Sequence, residues 1–147
     1  MNIINANVME KVCLGRLGET ITAYLSHPEA VMPLVLAGKP GIGKTEVVRK
    51  TLGSMCLRHR ELWELLDNDS DSVNEADVVL VHTLDPDRVR LDLGLAVSFQ
   101  ARFGIPVIVC TPVADETDPV WKQFEGKIVP VFCQQVFEKF VAWAEDT

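Results

Sequence analysis

An apolar run, Leu34-Val35-Leu36-Ala37, stops at a glycine, and the chain then reads Gly38-Lys39-Pro40-Gly41-Ile42-Gly43-Lys44-Thr45. Beyond that loop, Val47, Val48, Thr51, Leu52, Met55 and Cys56 return at helical spacing, which predicts a helix over 44–57. A short continuous apolar run bounded by glycine suits a strand buried on both faces of a parallel sheet. The order strand, glycine-rich loop, amphipathic helix constrains the fold more than any other stretch. Gly38, Gly41 and Gly43 can take backbone angles closed to other residues and let the main chain approach an anion closely. Successive N–H groups of such a loop turn inward as a nest, and the helix opening at Lys44 adds its N-terminal partial positive charge. The pattern G-x-x-x-x-G-K-[ST] is met at every required place, which makes phosphate the anion.

Elsewhere the chain alternates between strand-like and helix-like stretches. Val8 to Ser26 predicts a helix through Val8, Val12, Leu17, Ile21 and Leu25, weakened by Gly15 and Gly18 and ended by His27-Pro28. Val78 to Val81 is a second buried strand. Asp85 then reads as an N-cap with Pro86 in the first helical position, opening a helix that ends at Gly104. Ile105 to Cys110 is a third strand, followed by a loop over 111–119 and a short helical turn near Trp121 and Phe124. Lys127 to Cys133 is a fourth strand, and Pro130 within it predicts an edge position. Gln134 to Glu145 reads as a closing helix. This alternation predicts an α/β domain of three layers with a mostly parallel sheet, an N-terminal helix and a C-terminal helix. One domain over 1–147 is expected, a leading helical segment over 1–32 and the α/β core over 33–147.

Charge and composition exclude several classes. A net charge of −7 gives no footprint for nucleic acid and disfavours anionic membranes. No apolar run approaches a membrane span, and Met1 to Val8 has no signal-peptide pattern. The four cysteines, at 13, 56, 110 and 133, form no C-x-x-C pair and read as reduced thiols of a cytoplasmic protein. Glu61 to Asp77 holds seven acidic residues and no basic one, and reads as a solvated loop or a contact surface. Asp67, Asp69 and Asp71 have the spacing of a calcium loop, but Ser72 stands where a glycine is needed and no Glu closes it, so calcium is not expected. His27, His59 and His82 are scattered and suggest no metal cluster or catalytic dyad.

The stretch from Pro33 to Arg49 resembles the Walker A region of AAA+ ATPases, above all MoxR-like and phage-encoded ones, through its apolar strand and its Pro40-Gly41-Ile42 core. The resemblance implies ATP and Mg²⁺ as ligands. The nucleotide would contact Gly38, Lys39, Pro40, Gly41, Ile42, Gly43, Lys44, Thr45 and Glu46. Lys44 would bridge the β- and γ-phosphates, and the Thr45 hydroxyl would bind Mg²⁺. Thr111, before Pro112, resembles the polar sensor-1 position at the end of a strand.

The same resemblance exposes departures. A Walker B strand should end in Asp-Glu, the Asp holding Mg²⁺ through water and the Glu polarising the attacking water. The strand at 78–81 runs instead into His82-Thr83, with Asp85 or Asp87 as the alternative metal ligand if the strand runs longer than usual. Another alignment makes Val78 to Leu84 the second AAA+ strand, which leaves no Walker B at all. Arg88, Arg90 and Arg102 are arginine-finger candidates by default. A chain of 147 residues has room for the α/β core but not for the AAA+ lid. Three readings follow. One is a minimal ATP-binding core with slow Mg²⁺-dependent hydrolysis. The second is a degenerate relative that does not hydrolyse, and that self-associates or docks on a larger ATPase. The third is a small-molecule kinase. A phage-encoded chain would act in the host cytoplasm.

Overall fold

A computed structural model of the chain describes residues 10–27, 32–39, 43–67, 75–113 and 115–134. The strands are β1 (Glu10–Cys13), β2 (Leu34–Ala37), β3 (His59–Glu61), β4 (Val78–His82), β5 (Val107–Thr111) and β6 (Val129–Gln134). The helices are α1 (Leu17–Ser26), α2 (Lys44–Ser54), α3 (Leu62–Asp67), α4 (Val89–Phe103) and α5 (Pro119–Gln123). All six strands pair in parallel, in the order β1-β6-β2-β5-β4-β3.

The apolar runs are continuous because both faces of the sheet are covered. Leu34, Leu36, Val78, Leu80, Ile108 and Cys110 point to one face and pack against Leu17 and Ile21 of α1 and Val48 and Leu52 of α2. Val35, Val79, Val81, Val107 and Val109 point to the other and meet Leu62 of α3, Leu93, Ala96 and Phe99 of α4, and Val120 of α5. The two-residue strand period thus divides one sheet between two cores and makes the three layers.

The strands read from apolar runs are found, but two short ones carry no such run. Val8 to Ser26 is not one helix: β1 occupies Glu10–Cys13, a 3-10 turn follows at Leu14–Arg16, and α1 begins only at Leu17. Gly15 lies in that turn, so the glycine-weakened part of the stretch is where the helix fails. His59-Arg60-Glu61 forms β3 on the far edge. Pro130 does not mark an edge, because β6 lies between β1 and β2. Val129 N donates to Pro33 O toward β2, so the next residue turns its nitrogen away from β2, and the lack of a donor at Pro130 leaves the pairing with β2 intact. The helix expected over 134–145 lies outside the described residues beyond Gln134, which closes β6.

A buried polar network ties the layers together. Gln100 of α4 accepts from Val107 N (3.0 Å) through Oε1 and donates to Tyr24 Oη of α1 (3.2 Å) through Nε2. The Tyr24 hydroxyl donates in turn to Met32 O (2.7 Å). Burial pushes the Tyr24 phenol up to about 12, against the smaller opposing effect of its Gln100 hydrogen bond.

Candidate functional site

β2, β4 and β5 end side by side, and their carboxyl ends meet the start of α2 around a cleft of about 350 Å³. Parallel α/β sheets bind ligands at this end, and the volume suits a small molecule. The cleft is lined by Gly43, Lys44, Thr45 and Glu46 from the loop and α2, and by His82, Thr83, Leu84, Cys110, Thr111 and Pro112 from the strand ends.

Gly43 has φ 99°, a left-handed angle that only glycine takes without strain, and its carbonyl accepts the Val47 N–H that starts α2. Gly38 N donates to Thr111 O (3.3 Å), which fastens the base of the loop to β5. Lys44 is buried, and its ammonium donates to Gly38 O and to Lys39 O, curling back across the loop. Desolvation lowers its pKa below that of a free lysine. Glu46 is exposed in the first turn of α2. Pro40, Gly41 and Ile42, also expected to touch nucleotide, lie outside the described residues.

The strand opposite Thr45 is β4. β3 is the strand that follows α2 and β4 is the next one. Where the resemblance looks for an acidic pair, the end of β4 carries His82 and Thr83. Strand parity separates these two. His82 follows Val78 and Leu80 onto the α2 face, where Nδ1 lies 3.4 Å from Thr45 Oγ1. Thr83 turns to the α4 face, where its hydroxyl donates to Asp92 Oδ2 (2.9 Å).

The His82 ring is held from behind. Nε2 lies 2.9 Å from Glu61 Oε1, an ion-pair distance, although its N–H is not aligned for a hydrogen bond. Cys110 stands opposite His82 in the β4–β5 register. The close approach of Cys110, and then of Glu61, outweighs burial and raises the imidazole to about 9. Glu61 is also 3.9 Å from Arg49 of α2.

Asp85 is not among the residues lining the cleft. Its Oδ1 accepts from Asp87 N (2.9 Å) and caps the 3-10 turn at Pro86–Arg88, as the Asp-Pro sequence predicts. Thr111 is buried at the end of β5 and its hydroxyl accepts from Val113 N (3.3 Å). Arg88 lies by a second cleft, and Arg102 stacks over Phe103 with 5.0 Å to the ring centroid. The acidic segment is partly neutralised: Arg58 pairs with Asp77 (3.3 Å), and Arg60 with Glu64 (3.5 Å) and Glu75 (2.9 Å). Residues 68–74, with most of the calcium-like spacing, lie outside the described residues. Among the described residues no group of three or more His, Cys, Asp or Glu is placed to hold a metal ion.

The sequence marked Lys44, Thr45 and Thr111, noted His82 only as a departure from the expected acid, and did not point to Glu61 beside it. Nothing local distinguishes His82 from other histidines. The signal was positional: it ends an apolar strand where an acid belongs.

No protein-family model matches the chain, and no curated protein matches it. Solved structures do match. DnaA from Aquifex aeolicus, in its AMPPCP-bound structure, aligns over 90% of this chain with TM-score 0.51 and 16% identity. The DnaC helicase loader aligns over 88% with TM-score 0.52 and 15% identity. The chain shares the P-loop NTPase-like α/β fold of these structures. The chain spans half the length of the DnaA structure and 96% of the DnaC structure. Likeness at this identity carries the fold alone. No helix among the described residues is long and apolar enough to cross a membrane.

Proposed function

We propose that this chain binds a nucleoside triphosphate, ATP in the first place, on the loop from Gly38 to Thr45. The observation that carries the reading is Lys44. A buried ammonium, held by main-chain carbonyls at the N-terminus of α2 and facing a cleft, meets phosphate by exchanging those carbonyls for phosphate oxygens. The bound AMPPCP of the DnaA neighbour supports the same assignment.

Turnover is slow or absent on this reading, because the strand facing Thr45 offers an imidazole and a committed threonine where hydrolysis calls for an acid and a base. Thr111 would then serve as a polar contact to the terminal phosphate. The MoxR-like or phage-type character rests on the Pro40-Gly41-Ile42 sequence. A role as a nucleotide-responsive interaction protein, self-associating or docking on a larger ATPase, draws support from a second cleft of about 330 Å³ lined by Trp63 and Leu84. Both side chains are exposed, Trp63 at 65% and Leu84 at 90%.

Calorimetric titration with ATP, alongside a phosphate-release assay, tests the proposal. The wild type binds and releases phosphate slowly or not at all, and Lys44→Ala loses binding. Equal ATP affinity in the two proteins would refute it.

A further inference from the structure

The fold family implies Mg²⁺, with the Thr45 hydroxyl as one ligand, and the donor set can be tested against that ion. Mg²⁺ takes six oxygen ligands in near-ideal octahedral geometry and is held through carboxylates, phosphates and water. The side chain that reaches Thr45 Oγ1 from the facing strand is His82, with Nδ1 3.4 Å away. An imidazole offers no oxygen in either protonation state, and its ring fills the place from which a carboxylate would hold the ion's water.

The nearby carboxylates do not replace it. Glu61 lies behind the ring, at Nε2. Asp92 accepts from Thr83 on the α4 face. Asp85 caps its turn. Among the described residues Glu46 is the sole carboxylate lining the cleft, and it is exposed beside Thr45 on α2 rather than across from it on the strand. The described residues do not fit Mg²⁺.

They fit an anion without a metal. Lys44 and the His82 ring flank Thr45 at the start of α2, and Gly43 carries the left-handed turn of the loop. We propose that this site, if it takes nucleotide as argued above, takes it free of divalent cation, with Lys44, His82 and the amides at the start of α2 supplying the contacts that a metal supplies elsewhere. The ligand class is then a metal-free nucleoside di- or triphosphate, and the His82 position sets the cation requirement.

The test is calorimetric titration of the wild type with ATP and with ADP, in magnesium chloride and in excess EDTA. Expected is an affinity as tight in EDTA as in magnesium, within about threefold. A wild-type affinity that falls about tenfold or more in EDTA would overturn the proposal. His82→Asp restores an acid beside Thr45, and should bind at least about tenfold tighter with magnesium than without. A folded His82→Asp protein that is as indifferent to magnesium as the wild type also counts against it. The wild-type comparison needs no variant, so a misfolded mutant does not shield the idea. Absence of nucleotide binding in both buffers by a folded wild type would overturn the nucleotide reading and this one with it, and that result is distinct from binding that appears only with magnesium.

Discussion

Gln100→Leu replaces a side chain that is 3% exposed with an apolar one of similar size, so the effect isolates its hydrogen bonds. Among those lost are the acceptor for Val107 N at 3.0 Å and the donor to Tyr24 Oη at 3.2 Å. Tyr24 keeps its own bond to Met32 O, so its hydroxyl stays satisfied. The Val107 N–H loses its Gln100 acceptor at the first residue of β5, and an orphaned buried donor costs about 1–3 kcal/mol. The leucine recovers about 1 kcal/mol by burying more apolar surface. The lost bond to Tyr24, about 1 kcal/mol, offsets that gain, so the net loss is about 1–3 kcal/mol and the midpoint falls by about 3–9 °C. Urea unfolding gives the free energy, and amide exchange should show Val107 losing protection. Tyr24→Phe serves as the partner in a double-mutant cycle, and the two losses should be less than additive because they share a bond. A Gln100→Leu protein as stable as the wild type, with Val107 still protected, would refute the claim that this network ties α4 to β5.

Other consequences follow from single side chains. Asp85→Ala should cost about 1 kcal/mol through loss of the cap, with ATP affinity unchanged; a drop in affinity would restore Asp85 to the site. The His82 imidazole is raised from 6.5 to about 9, so its charge stabilises the fold fully below pH 6.5 and is lost as pH rises through 9. Wild type minus His82→Asn stability should therefore shrink by about 1–3 kcal/mol between those limits, and a difference that grows with pH has the wrong sign. Of the thiols whose surroundings are described, Cys56 is exposed, while Cys110 and Cys133 are buried and burial pushes Cys133 up to about 12. Alkylation followed by mass spectrometry should mark Cys56 well before the other two.

What was legible in the sequence was whatever burial writes into it. Leu34 to Ala37, Val78 to Val81 and Val107 to Cys110 read as strands because a parallel sheet covered on both faces demands unbroken apolar runs. Asp85-Pro86 read as a cap because its chemistry is local. β3 was not legible: His59-Arg60-Glu61 is an edge strand of three polar residues, held by pairing with β4 rather than by any core of its own. β1 was hidden by the helical spacing of Val8, Val12 and Leu17, although Val12 lies in a strand and Leu17 opens α1 beyond a turn. Pro130 misled because the edge rule assumes a donor is needed on both sides of a strand. The glycine-rich loop was legible as a motif, and the structure describes it at Gly38, Lys39 and Gly43 to Thr45. The partner across the cleft was not, since placing His82 required strand parity to aim its side chain at Thr45. Glu61 depended on β3 and was lost with it.

A crystal structure with ATP, grown without added metal, tests the central claim most directly. The account predicts phosphates against Gly43 and Lys44, the Lys44 ammonium moved from the Gly38 carbonyl onto phosphate oxygen, and the His82 ring still beside Thr45. Nucleotide bound elsewhere, or Lys44 unmoved in a cleft without phosphate at saturating ATP, would contradict it.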